Sequence, residues 1–493
     1  MRILIAASEV VPFAKTGGLA DVAGALPRAL RALGHDVRVI LPRYRSVLPA
    51  KFPLRVLQEE MIVHFPANFQ AGSVWQCEFP GTEMPAYFVR HDHYFDRDGL
   101  YGEKGEDYPD NAERFAFFSM AAIWALKGMN WQPDVIHCND WQTALIPTYL
   151  RNLPILRDDP FYGAARTVYT IHNLAYQGSF GPAVLPRIGL DQSVYHPEGI
   201  EFYGSVNLMK AGIVYADALT TVSPRYSEEI QTPEFGCGMD GILRARKAHL
   251  GDRFKGIING IDYAVWNPEL DEHIAARYSA ANLAGKARCK EALQRLSGLP
   301  PTPDVPLIGI ISRLDKQKGF DLIEDCLDKI MDLGVQMVVL GTGDPAYHTM
   351  FEDAAKKYPD GLAIALTFNN PLAHQIEAGA DMFLMPSRYE PCGLNQMISL
   401  KYGTIPIVRK TGGLADSICD ATVATIRDAV GTGFVFEEYE SKTLFAAVKR
   451  AVRLYREKPE QWSKLIQNAM KQDFSWDRSA RAYEALFQEL CGP

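Results

Sequence analysis

Lys15-Thr16-Gly17-Gly18-Leu19-Ala20-Asp21 returns unchanged as Lys410-Thr411-Gly412-Gly413-Leu414-Ala415-Asp416 near the other end of the chain. Each copy follows an apolar run suited to a buried strand, Ile3–Ala7 in one case and Thr404–Val408 in the other. Each also precedes a run suited to a helix. Paired glycines at such a junction allow a tight turn and let another group approach the backbone closely. The amides that open the helix then form an anion site. Two copies in matching contexts predict two similar α/β halves, each offering a glycine-rich turn. Two purely structural turns are the plainer alternative, because glycine is the usual turn residue.

Outward from the first copy, short β-branched runs alternate with helical patterns. Val37–Leu41, Val135–His137, Val168–Ile171 and Ala218–Val222 read as strands, and Leu19–Leu33 and Ala112–Lys127 as helices. Residues 52–90 alternate like hairpins, and Asn139-Asp140 reads as the cap of a helix opening at Trp141. After the proline-rich stretch 297–306 a second alternation begins. It has strands at Leu307–Ser312, Gln336–Leu340, Ala363–Thr367, Met382–Met385, Ile405–Val408 and Phe434–Phe436. Such alternation means parallel sheets with right-handed crossovers. The expected fold class is therefore α/β, and 493 residues exceed what one core usually serves. Trp476–Leu490 reads as a last amphipathic helix.

The hydrophobic fraction of 47% and charged fraction of 22% suit a globular enzyme. A net charge of −8 argues against nucleic acid or an anionic membrane as partner. No apolar run reaches the length of about 18 residues that a bilayer demands. The chain opens directly on a strand pattern without the apolar core of a signal peptide, so a cytoplasmic location is expected. Eight cysteines without C-x-x-C spacing agree with reduced thiols.

In a doubly wound sheet, ligands bind beyond the carboxyl ends of the strands. The informative polar residues are then Glu9, Lys15, Asn139-Asp140-Trp141 and His172-Asn173 in the first half. In the second they are Arg313 with Lys318, Gly341–Asp344, Phe368-Asn369 and Ser387–Asn395. Arg313 and Lys318 both stay cationic at neutral pH and suit a diphosphate, one as a rigid fork and one as a mobile charge. Glu390 precedes a helix pattern, where it could accept sugar hydroxyls while amides from Gly393 onward face an anion. A helix-capping Glu is the structural alternative. Cys392 has no matched His and reads as small packing. Gly341-Thr342-Gly343-Asp344-Pro345-Ala346 matches the G-x-G-x-x-A of dinucleotide oxidoreductases, but Pro345 occupies the turn. Asp96-Arg97-Asp98 has D-x-D spacing without a third ligand and reads as a solvated turn.

Lys15–Asp21, Asn139-Asp140-Trp141-Gln142, Ile171-His172-Asn173, Asn259-Gly260-Ile261-Asp262, Ser312–Gly319 and Pro386–Leu394 occur in the order seen in bacterial glycogen synthases and plant starch synthases. The chain resembles that family over essentially its whole length. The resemblance implies a GT-B fold: two Rossmann-like doubly wound domains facing across a deep cleft, residues 1–258 on the acceptor side and 259–474 binding the nucleotide sugar. A C-terminal helix within 475–493 would pack back on the first. It implies a retaining glycosyltransferase that moves glucose from ADP-glucose to the non-reducing 4-hydroxyl of an α-1,4-glucan such as glycogen, with no cofactor and no metal.

By the same resemblance, Lys15, Gly18 and Asp21 belong to the donor-facing turn, and Arg313 and Lys318 to the diphosphate clamp. Asp140, His172, Asn173 and Asn259 resemble the glucosyl-contacting set. Glu390 matches the essential carboxylate, with Cys392, Gly393, Leu394 and Asn395 along phosphate or sugar. Phe368 stands where the family often has an adenine-stacking tyrosine, and Asn395 where many members have Thr. Met382, beside Asp381, stands where the wider retaining pattern has a second Glu. Relatives using glucose 1-phosphate, a pyridoxal-dependent phosphorylase and a glucan-binding protein without activity are the competing readings.

Overall fold

The sequence Ile3-Leu4-Ile5-Ala6 is buried throughout, the mark of a parallel strand covered on both faces. In the computed structural model, which describes residues 1–65, 68–103 and 105–492, it forms the heart of the first of two units. That unit comprises Met1–Gly260 together with the chain from Trp476 onward, and the second comprises Ile261–Ser475. The first crossing falls at Gly260, not 258, because Gly260 lies against the backbone and ring of Trp476, where a Cβ would come within 2.6 Å. Asn259 therefore belongs to the first unit.

The strands of the first unit are β1 (Arg2–Ala6), β2 (Asp36–Pro42), β3 (Arg55–Phe65), β4 (Asn68–Glu78), β5 (Pro85–Arg90), β6 (Gly102–Glu103) and β7 (Glu106–Asp107). They continue with β8 (Val135–Asn139), β9 (Arg166–Ile171), β10 (Ser179–Phe180), β11 (Glu201–Phe202), β12 (Ser205–Asn207), β13 (Ala218–Thr221) and β14 (Phe254–Gly256). The main sheet runs β14-β13-β9-β8-β1-β2-β5-β4-β3. It is parallel from β14 to β5, and the expected hairpins of residues 52–90 appear as the antiparallel pairs β3/β4 and β4/β5. The helix Trp476–Cys491 buries Trp476, Ala480, Tyr483, Leu486 and Phe487. Its Tyr483 and Phe487 rings lie 5.2 and 5.9 Å from that of His137 in β8.

The second unit has six parallel strands: β15 (Leu307–Ile311), β16 (Gln336–Leu340), β17 (Leu362–Ala365), β18 (Met382–Met385), β19 (Ile405–Arg409) and β20 (Phe434–Phe436). Their order is β17-β16-β15-β18-β19-β20. This is the 3-2-1-4-5-6 order of the nucleotide-binding fold, whose ligand crevice opens where the winding reverses, between its first and fourth strands. In the second unit that point lies between β15 and β18, and in the first between β1 and β8. Among the described residues, no helix is long and apolar enough to cross a membrane.

Candidate active-site residues of the two units

The loop after β1 is organised by one buried carboxylate. Glu9 accepts hydrogen bonds from the amide of Thr16, from its hydroxyl at 2.7 Å, from the amide of Gly17 at 3.0 Å, and from the Tyr101 hydroxyl at 2.6 Å. The turn thus carries its own anion on the amides of Thr16 and Gly17, ahead of the helix. The amides of Gly18 and Leu19, which begin the helix Gly18–Ala32, keep no partner among the described residues. Lys15 reaches Asp21 at 2.7 Å. Burial raises the Asp21 carboxyl above its ordinary value, and Lys15 opposes that shift.

Asp140, after β8, does not cap the following helix as expected. Its Oδ1 accepts from the amide of His172 at 2.8 Å, and the carboxylate also takes the amide of Asn173, so it ties the end of β8 to the end of β9. Its backbone sits at φ 57°, ψ 179°. A non-glycine residue held there costs roughly 1–3 kcal/mol and marks a place where geometry outweighs strain. Burial raises the Asp140 carboxyl to about 7.

His172 is buried and its imidazole is pushed down to about 3, chiefly by desolvation, so it is neutral at physiological pH. Its tautomer follows from the neighbours. Asn139 donates Nδ2 to the carbonyl of Ala6 at 3.0 Å, which turns Oδ1 toward His172 Nε2 at 2.9 Å. Nε2 therefore carries the proton and Nδ1 keeps a lone pair. Asn259, 5% exposed, has a buried Oδ1 without a partner among the described residues. A buried, unmet acceptor is costly unless a ligand meets it.

In the second unit, Glu390 is 6% exposed and is held by Lys318 Nζ at 2.7 and 3.0 Å and by the Ser387 hydroxyl at 2.9 Å. It caps no helix. The loop after β15 and the loop after β18 are stitched together. The Arg388 amide donates to the Gln317 carbonyl at 2.8 Å, and a Cβ on Gly319, which has φ 77°, would strike the Pro386 carbonyl oxygen at 2.1 Å. Arg313 lies on the same loop with Asp315 at 3.4 Å.

The second copy of the repeat supports this carboxylate from behind. A Cβ on Gly412 would meet the carbonyl oxygen of Glu390 at 1.9 Å, and one on Gly413 the carbonyl oxygen of Cys392 at 2.0 Å. Lys410 pairs with Glu437 instead of its own repeat's Asp. The helix Asn395–Tyr402 opens behind Gly393, at φ 70°, and Leu394, with no side-chain cap. The amides of Gly393, Leu394 and Asn395 have no partner among the described residues, which leaves an anion-binding start. The Asn395 side chain is committed to the carbonyl of Ile311 at 2.8 Å, and Cys392 is buried. Phe368 is 80% exposed after β17, a free face for stacking.

Three other motifs find structural partners. Asp96 and Asp98 both bind Arg45, leaving no metal pair. The glycines of Gly341–Ala346 are used internally: Cβ atoms there would strike the carbonyls of Ser312 at 1.8 Å and Leu314 at 2.3 Å. They let the Arg313 loop pack closely and do not form a dinucleotide turn. Asp381 lies at the amino end of β18, the far end from Glu390, where it binds Lys290 at 2.7 Å and the Leu307 amide at 2.9 Å. Among the described residues, no group of three or more His, Cys, Asp or Glu is arranged to hold a metal. Tyr101 was not legible as a site-building residue, since it acts through Glu9, a partner distant in sequence.

Two doubly wound units with charged and polar residues gathered at both switch points define a glycosyltransferase of the GT-B class. Residues 2–245 match the family described as "Starch synthase catalytic domain" and residues 298–471 "Glycosyl transferases group 1". The chain is 49% identical over 494 residues to a glycogen synthase of Anaeromyxobacter sp., covering all of both chains. It is 48% identical over 489 residues to one of Syntrophotalea carbinolica, covering 99% of each. The catalytic domain of starch synthase IV from Arabidopsis thaliana, solved with ADP and acarbose, aligns with TM-score 0.90 at 35% identity over 99% of both chains. The chain belongs to the glycogen synthase and starch synthase family.

Proposed function

We propose that this chain transfers glucose from ADP-glucose to the non-reducing-end 4-hydroxyl of an α-1,4-glucan, with retention of configuration and without a metal ion or cofactor. The observation that carries the reading is the buried Glu390 held by Lys318 and Ser387 at the β15/β18 switch point. Arg313 lies on the loop that carries Lys318, and the amides of residues 393–395, which follow Glu390, have no partner among the described residues. The ADP and acarbose bound in the Arabidopsis relative support the donor and acceptor classes.

In this mechanism the bond from the anomeric carbon to diphosphate breaks as the acceptor oxygen attacks on the same face. The departing phosphate oxygen takes the acceptor's proton. Arg313, Lys318 and the amides of Gly393 and Leu394 receive the developing negative charge, each donor contributing on the order of 3 kcal/mol. Neutral His172 offers Nδ1 to a glucosyl hydroxyl, and Asp140 and Asn173 keep it in place. Asn259 Oδ1 takes another hydroxyl. Lys15, Gly18 and Asp21 form the turn on the donor side, and Phe368 stacks on adenine. Commitment of Asp381 to Lys290 supports a route without a second, covalent carboxylate.

The test is incubation with ADP-glucose, and separately UDP-glucose, plus a malto-oligosaccharide. Chain lengthening with ADP release is expected; hydrolysis without lengthening, or transfer only from glucose 1-phosphate, would overturn the reading. We also place the enzyme in the cytoplasm, supported by eight cysteines outside any disulfide.

A further inference from the structure

We propose that Tyr203, with Phe202 beside it, forms a stacking platform for a glucosyl unit of an α-1,4-glucan chain, apart from the residues that handle the donor. This rests on the glucan reading above and extends it. β11 and β12 pair antiparallel, with Phe202 opposite Ser205, and are joined by the two-residue turn Tyr203-Gly204. Both turn residues are left-handed, at φ 49° and 80°. Such turns favour Asn-Gly, and a bulky side chain in the first place is strained. The Tyr203 ring is nonetheless 84% exposed, so folding gains little from it.

The rings are fixed. Phe202 and Tyr203 meet edge to face at 4.7 Å. Both rest over the bare backbone of Gly238, where a Cβ would come within 3.2 Å of Phe202 and 3.5 Å of Tyr203. Gly238 and Cys237 are themselves left-handed, at φ 82° and 48°, so that backbone is shaped to receive the rings. Glu201 stands at the rim, with Oε1 on the Gly204 amide at 2.7 Å and Oε2 left for a hydroxyl. An exposed, rigid aromatic face with a carboxylate at its edge matches a pyranose ring, whose C–H face is apolar and whose rim is hydroxylated.

The platform is tied to the candidate site of its own unit. β12 pairs with β10 in the segment after His172-Asn173, Asn207 opposite Ser179, and the amides of Leu208 and Met209, which follow β12, donate to the carbonyls of Gly178 and Gln177 at 3.0 and 2.9 Å. Gly178 lies on the ring of Trp141, the residue after Asp140, where a Cβ would come within 2.5 Å. A glucan held on Tyr203 is thereby anchored to the framework that carries Asp140 and His172.

The experiment compares wild type with Tyr203→Asn, which suits the left-handed turn and removes the ring, and with Tyr203→Trp, which restores a stacking face. Retardation in gels containing glycogen, without donor, is read first. The ratio of the KM for glycogen to that for maltotriose is read second. Tyr203→Asn is expected to weaken retardation and raise the KM ratio roughly 3- to 10-fold, the effect of one lost aromatic contact, with Tyr203→Trp near wild type. Unchanged retardation and an unchanged ratio in folded Tyr203→Asn overturn the proposal. So does a shift from dimer to monomer on sizing with glycogen binding intact, which would assign the rings to a second copy. Because retardation needs no donor, failure of transfer in the wild type is distinguishable from failure of the platform.

Discussion

The ammonium of Lys318 sits on both oxygens of the Glu390 carboxylate, at 2.7 and 3.0 Å, although the two residues leave different strands of the sheet. One cation therefore has two tasks: it neutralises a buried carboxylate and, in the proposed reaction, meets the leaving diphosphate.

Lys318→Ala is expected to lower turnover roughly 100-fold, the scale of one lost charge-stabilising donor. It also strands Glu390 in a buried place, so Lys318→Ala with Glu390→Gln should lose less stability than the two single changes summed. Urea melts of the four proteins, with turnover alongside, measure both; additive stabilities would show that the pair is not coupled.

The two copies of the repeat should respond differently to a methyl group on their first glycine. Gly17 has open space where a Cβ would stand and an extended backbone. Gly412, its counterpart in the second copy, sits at φ 43°, and Gly412→Ala would drive a Cβ to 1.9 Å from the Glu390 carbonyl oxygen. Gly17→Ala is expected to melt like wild type, while Gly412→Ala loses roughly 1–3 kcal/mol by overpacking and shifts the Glu390 loop. Melting curves and kcat decide, and equal behaviour at both positions counts against a framework role for the second copy.

Burial pushes both His137 and His172 down to about 3, well below the unfolded value near 6.5. Between those limits the unfolded chain binds more protons, so stability present above about pH 6.5 is lost as pH falls toward 3. Asp140, raised by burial to about 7, and Glu377, raised to about 8, act in the opposite sense over the same range, so the test is a difference: from pH 7 to pH 5 the wild type should lose more stability, or gain less, than His137→Gln. A slope unaltered by that change would assign acid sensitivity elsewhere.

Prolonged treatment with a chelator is expected to leave glucosyl transfer within about twofold of the untreated rate, since the proposed charge stabilisation comes from side chains and amides. Recovery of lost activity by an added divalent ion would refute this.

The strands were readable from short apolar runs, because parallel strands buried on two faces leave a strong pattern, whereas their order, and so the two switch points, was not. The polar residues at the strand ends were readable as well. What the turns do with their own groups was not. Glu9 fills the amides of Thr16 and Gly17, Asp140 binds the next strand's loop in place of its own helix, and Gly341 and Gly343 receive the Arg313 loop. The last two depend on partners from elsewhere in the fold and the first on how its loop folds back on itself, and local pattern carries no record of either.

The return of the helix Trp476–Cys491 to the first unit has a bearing on how the protein is made. A ribosome delivers β1 to β14 early but the helix that covers His137 last. Synthesis of Ile261–Ser475 in between takes on the order of ten to forty seconds at ordinary rates. During that interval the nascent first unit lacks the Tyr483 and Phe487 rings that cover His137.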